Sequence, residues 1–174
     1  MRTMVKAIMN APIPVVVFVS PSGAQAASAG VFIVLAADVA AMAPGTNMGA
    51  AHPVVAGGKE MEETMDTKVV NDLVAFIKSV ASRRGRNADW AEEAVRKSVS
   101  ITAEEALELK VVELVAMDMD DLLSKLDGWS VQTREGEKKL ALKGLPVQRV
   151  EESLRDNILR TISNPNIAYL LMLI

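Results

Sequence analysis

The chain contains no cysteine and only one histidine, His52, among its 174 residues. The lack of cysteine excludes disulfides, thiolate metal sites and cysteine nucleophiles, and one histidine leaves too few ligands for a zinc or iron site. Lys and Arg total 19 against 22 Asp and Glu, so no basic field is present that would collect the phosphates of a nucleic acid. We therefore expect chemistry based on hydroxyl, carboxylate, amine and backbone groups, without a cofactor, a metal or a nucleic-acid partner.

Half of the residues are hydrophobic, which in a chain of this length indicates a domain with its own core. The patterns predict an α/β fold. Helices are expected near 3–10, from 31 onward, over 66–84 and from Asn87 to Lys97. Asp66 or Thr67 is the expected N-cap of the third of these helices. A further helix is expected after Thr102, which has a capping-box spacing to Glu105. Strands are expected at 14–19, 48–55 and 111–115, a hairpin around Glu135 and Gly136 with arms at 130–133 and 139–142, and a last helix over 151–162.

The two ends of the chain each allow two interpretations. Residues 1–19 have the charge and apolar content of a signal peptide, but Pro12 and Pro14 interrupt the run and favour a buried strand. The wholly apolar segment 167–174 is far shorter than the roughly 20 residues that span a bilayer. It is typical of the start of a truncated membrane helix, or else of an apolar helix docked on the core.

Ser28 is the candidate nucleophile. It follows a predicted strand and a glycine-containing turn and precedes a predicted helix, which places its hydroxyl beside free backbone N–H groups and the positive end of a helix dipole. By itself the pattern is weak, because a serine in this position is usually only a helix cap.

The residues around Ser28 carry a more specific signal, because segment 23–30 (GAQAASAG) resembles the nucleophile segment of the ClpP class of serine peptidases. The resemblance continues in 42–53 (MAPGTNMGAAHP), 68–72 (KVVND), 85–88 (GRNA) and 103–107 (AEEAL). Together these segments are similar to the membrane-bound, NfeD-type branch of that class. The resemblance implies a ClpP/crotonase-like layered sheet with flanking helices, a C-terminal β-hairpin and a helix.

The resemblance also assigns roles to individual residues. It implies a Ser-Lys dyad of Ser28 and Lys68, with the N–H of Ala29 as first oxyanion donor. His52 would support the site from behind the catalytic groups, with the role of base as the alternative. A lysine accepts a proton only when it is neutral. Burial near Met65 and a place in the first turn of a helix would favour that form, whereas the alternative is a solvated lysine on the helix flank.

The resemblance has departures that concern the start and end of the chain. The family takes its second oxyanion donor from a Gly-Gly turn that would precede Met1, and its membrane helices and small β-barrel would follow residue 174. Lys110 stands where relatives tend to have a helix-ending glycine, which costs on the order of 1 kcal/mol if the residue is left-handed. We expect a partial protease domain over 1–126, the hairpin and helix over 127–166, and a truncated membrane helix over 167–174.

The function implied by the resemblance is a membrane-associated serine endopeptidase with its protease domain on the extracytoplasmic side. Its substrates would be apolar segments of proteins such as stomatin-like membrane partners, and it would form at least a homodimer. Two alternatives remain open. One is a catalytically inactive ClpP-like module that binds a stomatin-like protein, and the other is an acyl-CoA enzyme of the wider crotonase superfamily.

Overall fold

The computed structural model describes residues 1–53 and 63–150 as an α/β arrangement. The helices are α1 Arg2–Met9, α2 Ala29–Ala36, α3 Glu63–Arg83, α4 Ala88–Arg96, α5 Ala103–Glu108 and α6 Met119–Leu126. The strands are β1 Val16–Val19, β2 Gln25–Ala27, β3 Val39–Met42, β4 Asn47–Gly49, β5 Ser100–Thr102, β6 Leu114–Val115, β7 Ser130–Thr133 and β8 Gly136–Lys139. All of these lie in a unit formed by Met1–Lys143. In the second unit, Gly144–Ile174, the described residues 144–150 are exposed and contain no helix or strand.

The strands form three small sheets. In the first, β1, β3 and β6 run parallel in the order β1-β3-β6, with Val16 opposite Val39 and Val19 opposite Met42. In the second, β4 pairs parallel with β2 and antiparallel with β5. The third is the antiparallel hairpin β7-β8. Every residue of β3 is buried, as expected for a central parallel strand covered on both faces.

Helix α2 lies at the centre of this arrangement, because it connects β2 of the second sheet to β3 of the first. Its sequence carries no charge, and five of its eight residues are buried, namely Val31, Phe32, Val34, Leu35 and Ala36. A helix that is apolar on nearly every side is typical of a buried element. Its orientation therefore determines where its first residues, including the candidate site, reach the surface.

Two arginines bind the C-terminal end of α2, where the last carbonyls of a helix have no partner within the helix. Arg86 donates from one nitrogen to the carbonyls of Val34 (3.2 Å), Leu35 (2.8 Å) and Ala37 (2.9 Å). Arg84 donates from Nε to the carbonyl of Ala36 at 2.8 Å. Since Arg86 is only 5% exposed, these bonds form in the interior, where unpaired carbonyls would be costly.

The same arginines also connect α2 to the first sheet through two carboxylates. Arg86 binds Glu113 with two parallel bonds, Nε to Oε1 at 2.8 Å and Nη2 to Oε2 at 2.6 Å, and Glu113 accepts from the N–H of Ala40 in β3. Arg84 forms an ion pair with the buried Asp38, which also accepts from the N–H of Val15. Each charge thus has partners, which is the condition under which buried ions are tolerated.

The structure confirms several local predictions. The helix predicted from Asn87 to Lys97 forms as α4, and Thr102 and Glu105 form the predicted capping box of α5. The structure adds that Asn87 caps α4, because its side chain accepts from the N–H of Trp90. The hairpin also forms, although its second arm is 136–139 instead of 139–142. Helix α1 and strand β1 lie close to their predicted positions.

Other predictions are corrected. Helix α3 begins at Glu63, so neither Asp66 nor Thr67 occupies the N-cap position. Of the strand expected at 48–55, β4 covers only the start, residues 50–53 are not strand, and 54–55 lie outside the described residues. The strand expected at 111–115 shortens to β6, while β2, β3, β5 and α6 were not predicted. The expected helix over 151–162 and the apolar tail 167–174 lie outside the described residues. Within the residues that are described, no helix is both long and apolar enough to cross a membrane.

We predict that Arg86→Leu lowers the free energy of unfolding by about 3–5 kcal/mol, because it leaves Glu113 without its cation and the carbonyls of Leu35 and Ala37 without a donor. Urea unfolding followed by circular dichroism measures the change. Lys97→Gln is the matched control, since the ion pair of Lys97 with Glu93 at the end of α4 is exposed, and the unfolding midpoint should hardly move. Equal midpoints for the two variants would contradict the proposed role of Arg86.

Candidate active site

Ser28 lies at the junction between β2 and α2, as the sequence predicts. Its backbone dihedrals are φ 51° and ψ −115°, a combination that is rare for any residue except glycine. The side chain is exposed, and its hydroxyl forms no hydrogen bond with any residue that the structure describes, so it does not act as the cap of α2. A serine on a strained strand-to-helix turn, with a free hydroxyl, has the geometry of a nucleophile elbow.

The first turn of α2 supplies N–H groups beside this hydroxyl. The N–H of Val31 turns back to the carbonyl of Ser28 at 3.2 Å, whereas the N–H groups of Ala29 and Gly30 have no backbone acceptor in the described part of the chain. Ala29 is exposed. Free donors at the positive end of a helix suit a negative charge that develops next to the hydroxyl. This arrangement is compatible with the oxyanion role that the resemblance implies for Ala29.

Gly49 holds the backbone of Ser28 from the neighbouring strand. Its carbonyl accepts from the N–H of Ser28 at 3.2 Å. Gly49 has φ 145°, and a Cβ atom there would lie 2.2 Å from the carbonyl oxygen of Val99 and 2.5 Å from Cα of Ser100. Only glycine therefore permits β4 to approach β5 this closely while it supports Ser28.

His52 is half-buried, and its ring makes a structural contact. Its Nδ1 lies 2.9 Å from the carbonyl oxygen of Val95, and since a carbonyl only accepts, Nδ1 is the protonated nitrogen. The N–H of Ala51 donates to the carbonyl of Ala94 at 2.9 Å. His52 and Ala51 together satisfy carbonyls at the C-terminal end of α4, which favours a supporting role for His52.

Lys68 lies on α3, and no hydrogen bond joins it to Ser28 in the described part of the chain. The helix begins at Glu63, so Lys68 is in the second turn, beyond the first turn where the helix dipole acts. Its side chain is exposed, and the neighbouring Met65 is 55% exposed. The burial expected around this lysine is therefore not present here. Residues 54–62, which precede α3, lie outside the described part of the chain.

The fold and the serine elbow define an α/β domain of the ClpP type. ClpP1 from Listeria monocytogenes matches with a TM-score of 0.51 at 21% identity, over 70% of this chain and 67% of that chain, which supports the fold alone. The chain belongs to the family described as NfeD1b, N-terminal domain, whose model matches residues 1–134. The predicted ClpP/crotonase-type fold and the NfeD-type resemblance are confirmed.

Relatives of known activity are similar over most of the chain. The membrane-bound protease PH1510 of Pyrococcus horikoshii is 39% identical over 176 residues, which cover 99% of this chain and 40% of that protein. The chain thus spans well under half the length of this relative. A lysine-to-alanine mutant of the 1510-N membrane-bound stomatin-specific protease, in complex with a substrate peptide, matches with a TM-score of 0.81 and 37% identity, over 91% of this chain and 74% of that chain. A serine-to-alanine mutant of the same protease matches with a TM-score of 0.77 and 38% identity, over 87% and 75%.

The sequence did not reveal Gly49 as part of the site. A glycine in a short strand can indicate a close backbone approach, but the partner, the bond between Val99 and Ser100, is 50 residues away in sequence. Lys110, by contrast, has φ 57°, so it does adopt the left-handed conformation that its alignment with a helix-ending glycine suggested.

We predict that Gly49→Ala lowers the free energy of unfolding by clearly more than about 1 kcal/mol, because the new methyl group collides with the backbone of β5. Gly128→Ala is the matched control. Gly128 also has a positive φ, of 82°, but a Cβ atom there meets nothing within 4 Å, so only the cost of the left-handed backbone, about 1 kcal/mol, is expected. Urea unfolding of both variants measures the difference. If Gly49→Ala were no less stable than Gly128→Ala, the close approach would not exist in solution.

Proposed function

We propose that the chain is the protease domain of a serine endopeptidase in which Ser28 is the nucleophile. The observation that carries the proposal is the conformation of Ser28: a non-glycine residue with φ 51°, an exposed side chain and no hydrogen-bond partner for its hydroxyl among the described residues. Strain of this kind persists only where the surrounding structure enforces it, and it is concentrated at functional sites. Gly49 and the buried α2 provide that enforcement.

The relatives support this proposal. They are proteases, and the solved 1510-N structures include a serine-to-alanine mutant and a lysine-to-alanine mutant, the latter with a substrate peptide. One serine and one lysine are the residue types that a Ser-Lys dyad requires. We assign the lysine of this dyad to Lys68, as the resemblance of segment 68–72 implies.

The proposed reaction is peptide-bond hydrolysis through an acyl-enzyme. The amine of Lys68 takes the proton of the Ser28 hydroxyl as Oγ attacks the carbonyl carbon of the substrate, and the N–H of Ala29 stabilises the resulting oxyanion. The lysine ammonium then protonates the leaving amine. Water, deprotonated by the same lysine, releases the acyl group and restores Ser28.

The substrate, partner and location that we propose for this chain follow by analogy with its relatives. The 1510-N protease is named as stomatin-specific and PH1510 as membrane-bound. We propose that this chain likewise cleaves apolar segments of a stomatin-like membrane protein, that it acts on the extracytoplasmic side of a membrane, and that it assembles at least as a homodimer. We also keep the division into a protease domain over 1–126, a hairpin and helix over 127–166, and a membrane segment from 167 as a proposal.

A fluorophosphonate probe, which labels serines that are activated for acylation, tests the nucleophile. We predict labelling of the unmodified chain, loss of labelling in Ser28→Ala and labelling slowed by at least about tenfold in Lys68→Ala, since general-base assistance is worth 10²–10⁴. Lys78→Ala is the matched control, because Lys78 lies on the same helix but pairs with Glu92. Its labelling rate should not change.

The same experiment distinguishes the alternative of an inactive binding module. In that case the chain would bind a stomatin-like partner and no serine would react. Labelling that survives in Ser28→Ala, or that is slowed equally by Lys68→Ala and Lys78→Ala, would overturn the dyad.

A further inference from the structure

A cavity of about 470 Å³ lies along β7, at the opposite end of α2 from Ser28. Six consecutive residues, 129–134, form one wall, and the other wall includes Asp38, Arg83 and Arg84. Its volume is within the range typical of ligand sites. We call it the β7 cavity. Asp38 follows the end of α2 and Ser28 precedes its start, so the length of the eight-residue helix, about 12 Å, separates the two places.

The charges around the β7 cavity are not balanced. Arg84 is neutralised by Asp38, and Glu113 is neutralised by Arg86. Arg83 and Arg134 also line the cavity, and neither forms an ion pair with a carboxylate within residues 1–53 and 63–150. Two exposed guanidiniums in the wall of one cavity favour a ligand that carries carboxylates.

The unpaired backbone edge of β7 favours an elongated ligand. Strand β7 pairs only with β8 among the described strands, and the carbonyl of Trp129 accepts from the N–H of Leu140 on that side. Because backbone groups alternate along a strand, those of Ser130 and Gln132 point away from β8. The carbonyl of Gln132 accordingly lies 3.5 Å from a nitrogen of Arg84 across the cavity. The N–H groups of both residues have no acceptor in the described part of the chain and can pair with another backbone.

We propose that the β7 cavity binds an extended acidic peptide segment of a partner protein. Its backbone runs along the free edge of β7, in the manner of an added strand, and its carboxylates pair with Arg83 and Arg134. Trp129, which is 37% exposed, offers an aromatic face to an apolar side chain of the same segment. The site does not require Ser28 or peptide hydrolysis, so it can be tested independently of the proposed protease activity.

The test is binding of a fluorescein-labelled peptide with alternating valine and glutamate, followed by fluorescence anisotropy. We expect saturable binding that weakens as salt is added and that falls roughly fivefold in each of Arg83→Gln and Arg134→Gln. Lys139→Gln is the matched control. It removes one positive charge from the exposed face of the same hairpin but does not line the cavity, so affinity should be unchanged.

Two modified peptides test the pairing of carboxylates with the arginines and the pairing of backbones along β7 separately. A peptide with glutamine in place of glutamate should bind much more weakly, and so should an acidic peptide whose alternate amides are N-methylated, because it cannot pair with a strand edge. Equal affinity of the glutamate and glutamine peptides, or no greater loss in Arg83→Gln and Arg134→Gln than in Lys139→Gln, would overturn the site.

Two further outcomes would assign the arginines to a different ligand. If inorganic phosphate displaces the peptide at concentrations similar to its own, the cavity is a site for a simple anion. If vesicles of phosphatidylcholine and phosphatidylserine bind with the same dependence on Arg83 and Arg134, while the peptide does not bind, the surface faces a membrane. Circular dichroism of each variant confirms that the arginine substitutions leave the fold intact.

Discussion

The hydrogen bonds between two arginines and the C-terminal carbonyls of α2 are the interaction on which the rest of the structure depends. Helix α2 has no charged side chain and is buried along most of its length, so apolar packing alone would leave it free to slide or rotate. Arg86 and Arg84 remove that freedom, because each also binds a carboxylate that accepts from a backbone N–H at the first sheet, Glu113 from Ala40 in β3 and Asp38 from Val15 just before β1. The C-terminal end of α2 can therefore neither slide nor rotate.

The opposite end of α2 carries the strained serine, and its position follows from the same restraint. Gly49 fixes the N–H of Ser28 from β4, while Arg84 and Arg86, in the segment between α3 and α4, fix the far end of the helix. A hydroxyl that is held in a sparsely populated conformation between two such restraints loses little further freedom when it attacks a substrate. Preorganisation thus links the buried polar network to the chemistry proposed at the surface.

Sequence reasoning succeeded where the signal is local and failed where it depends on tertiary contact. Thr102 and Glu105 stand three residues apart and form their capping box within one turn, and Ser28 lies in a segment whose residues resemble a family motif. Strand β3 was missed because a short apolar run after a buried helix has no distinguishing periodicity. Gly49 and Arg86 act through partners about 50 and 27 residues away, and no local pattern in a single sequence indicates such pairs.

In the proposed reaction, Oγ of Ser28 becomes covalently bonded to a substrate carbonyl while the amine of Lys68 removes its proton. A crystal structure of the chain after reaction with a peptide aldehyde shows whether this bond forms. We expect a bond from Oγ of Ser28 to the aldehyde carbon, the new oxygen within hydrogen-bonding distance of the Ala29 N–H, and Nζ of Lys68 beside Oγ. An aldehyde that is attached elsewhere, or a Lys68 amine that stays in solvent in the reacted complex, would contradict it.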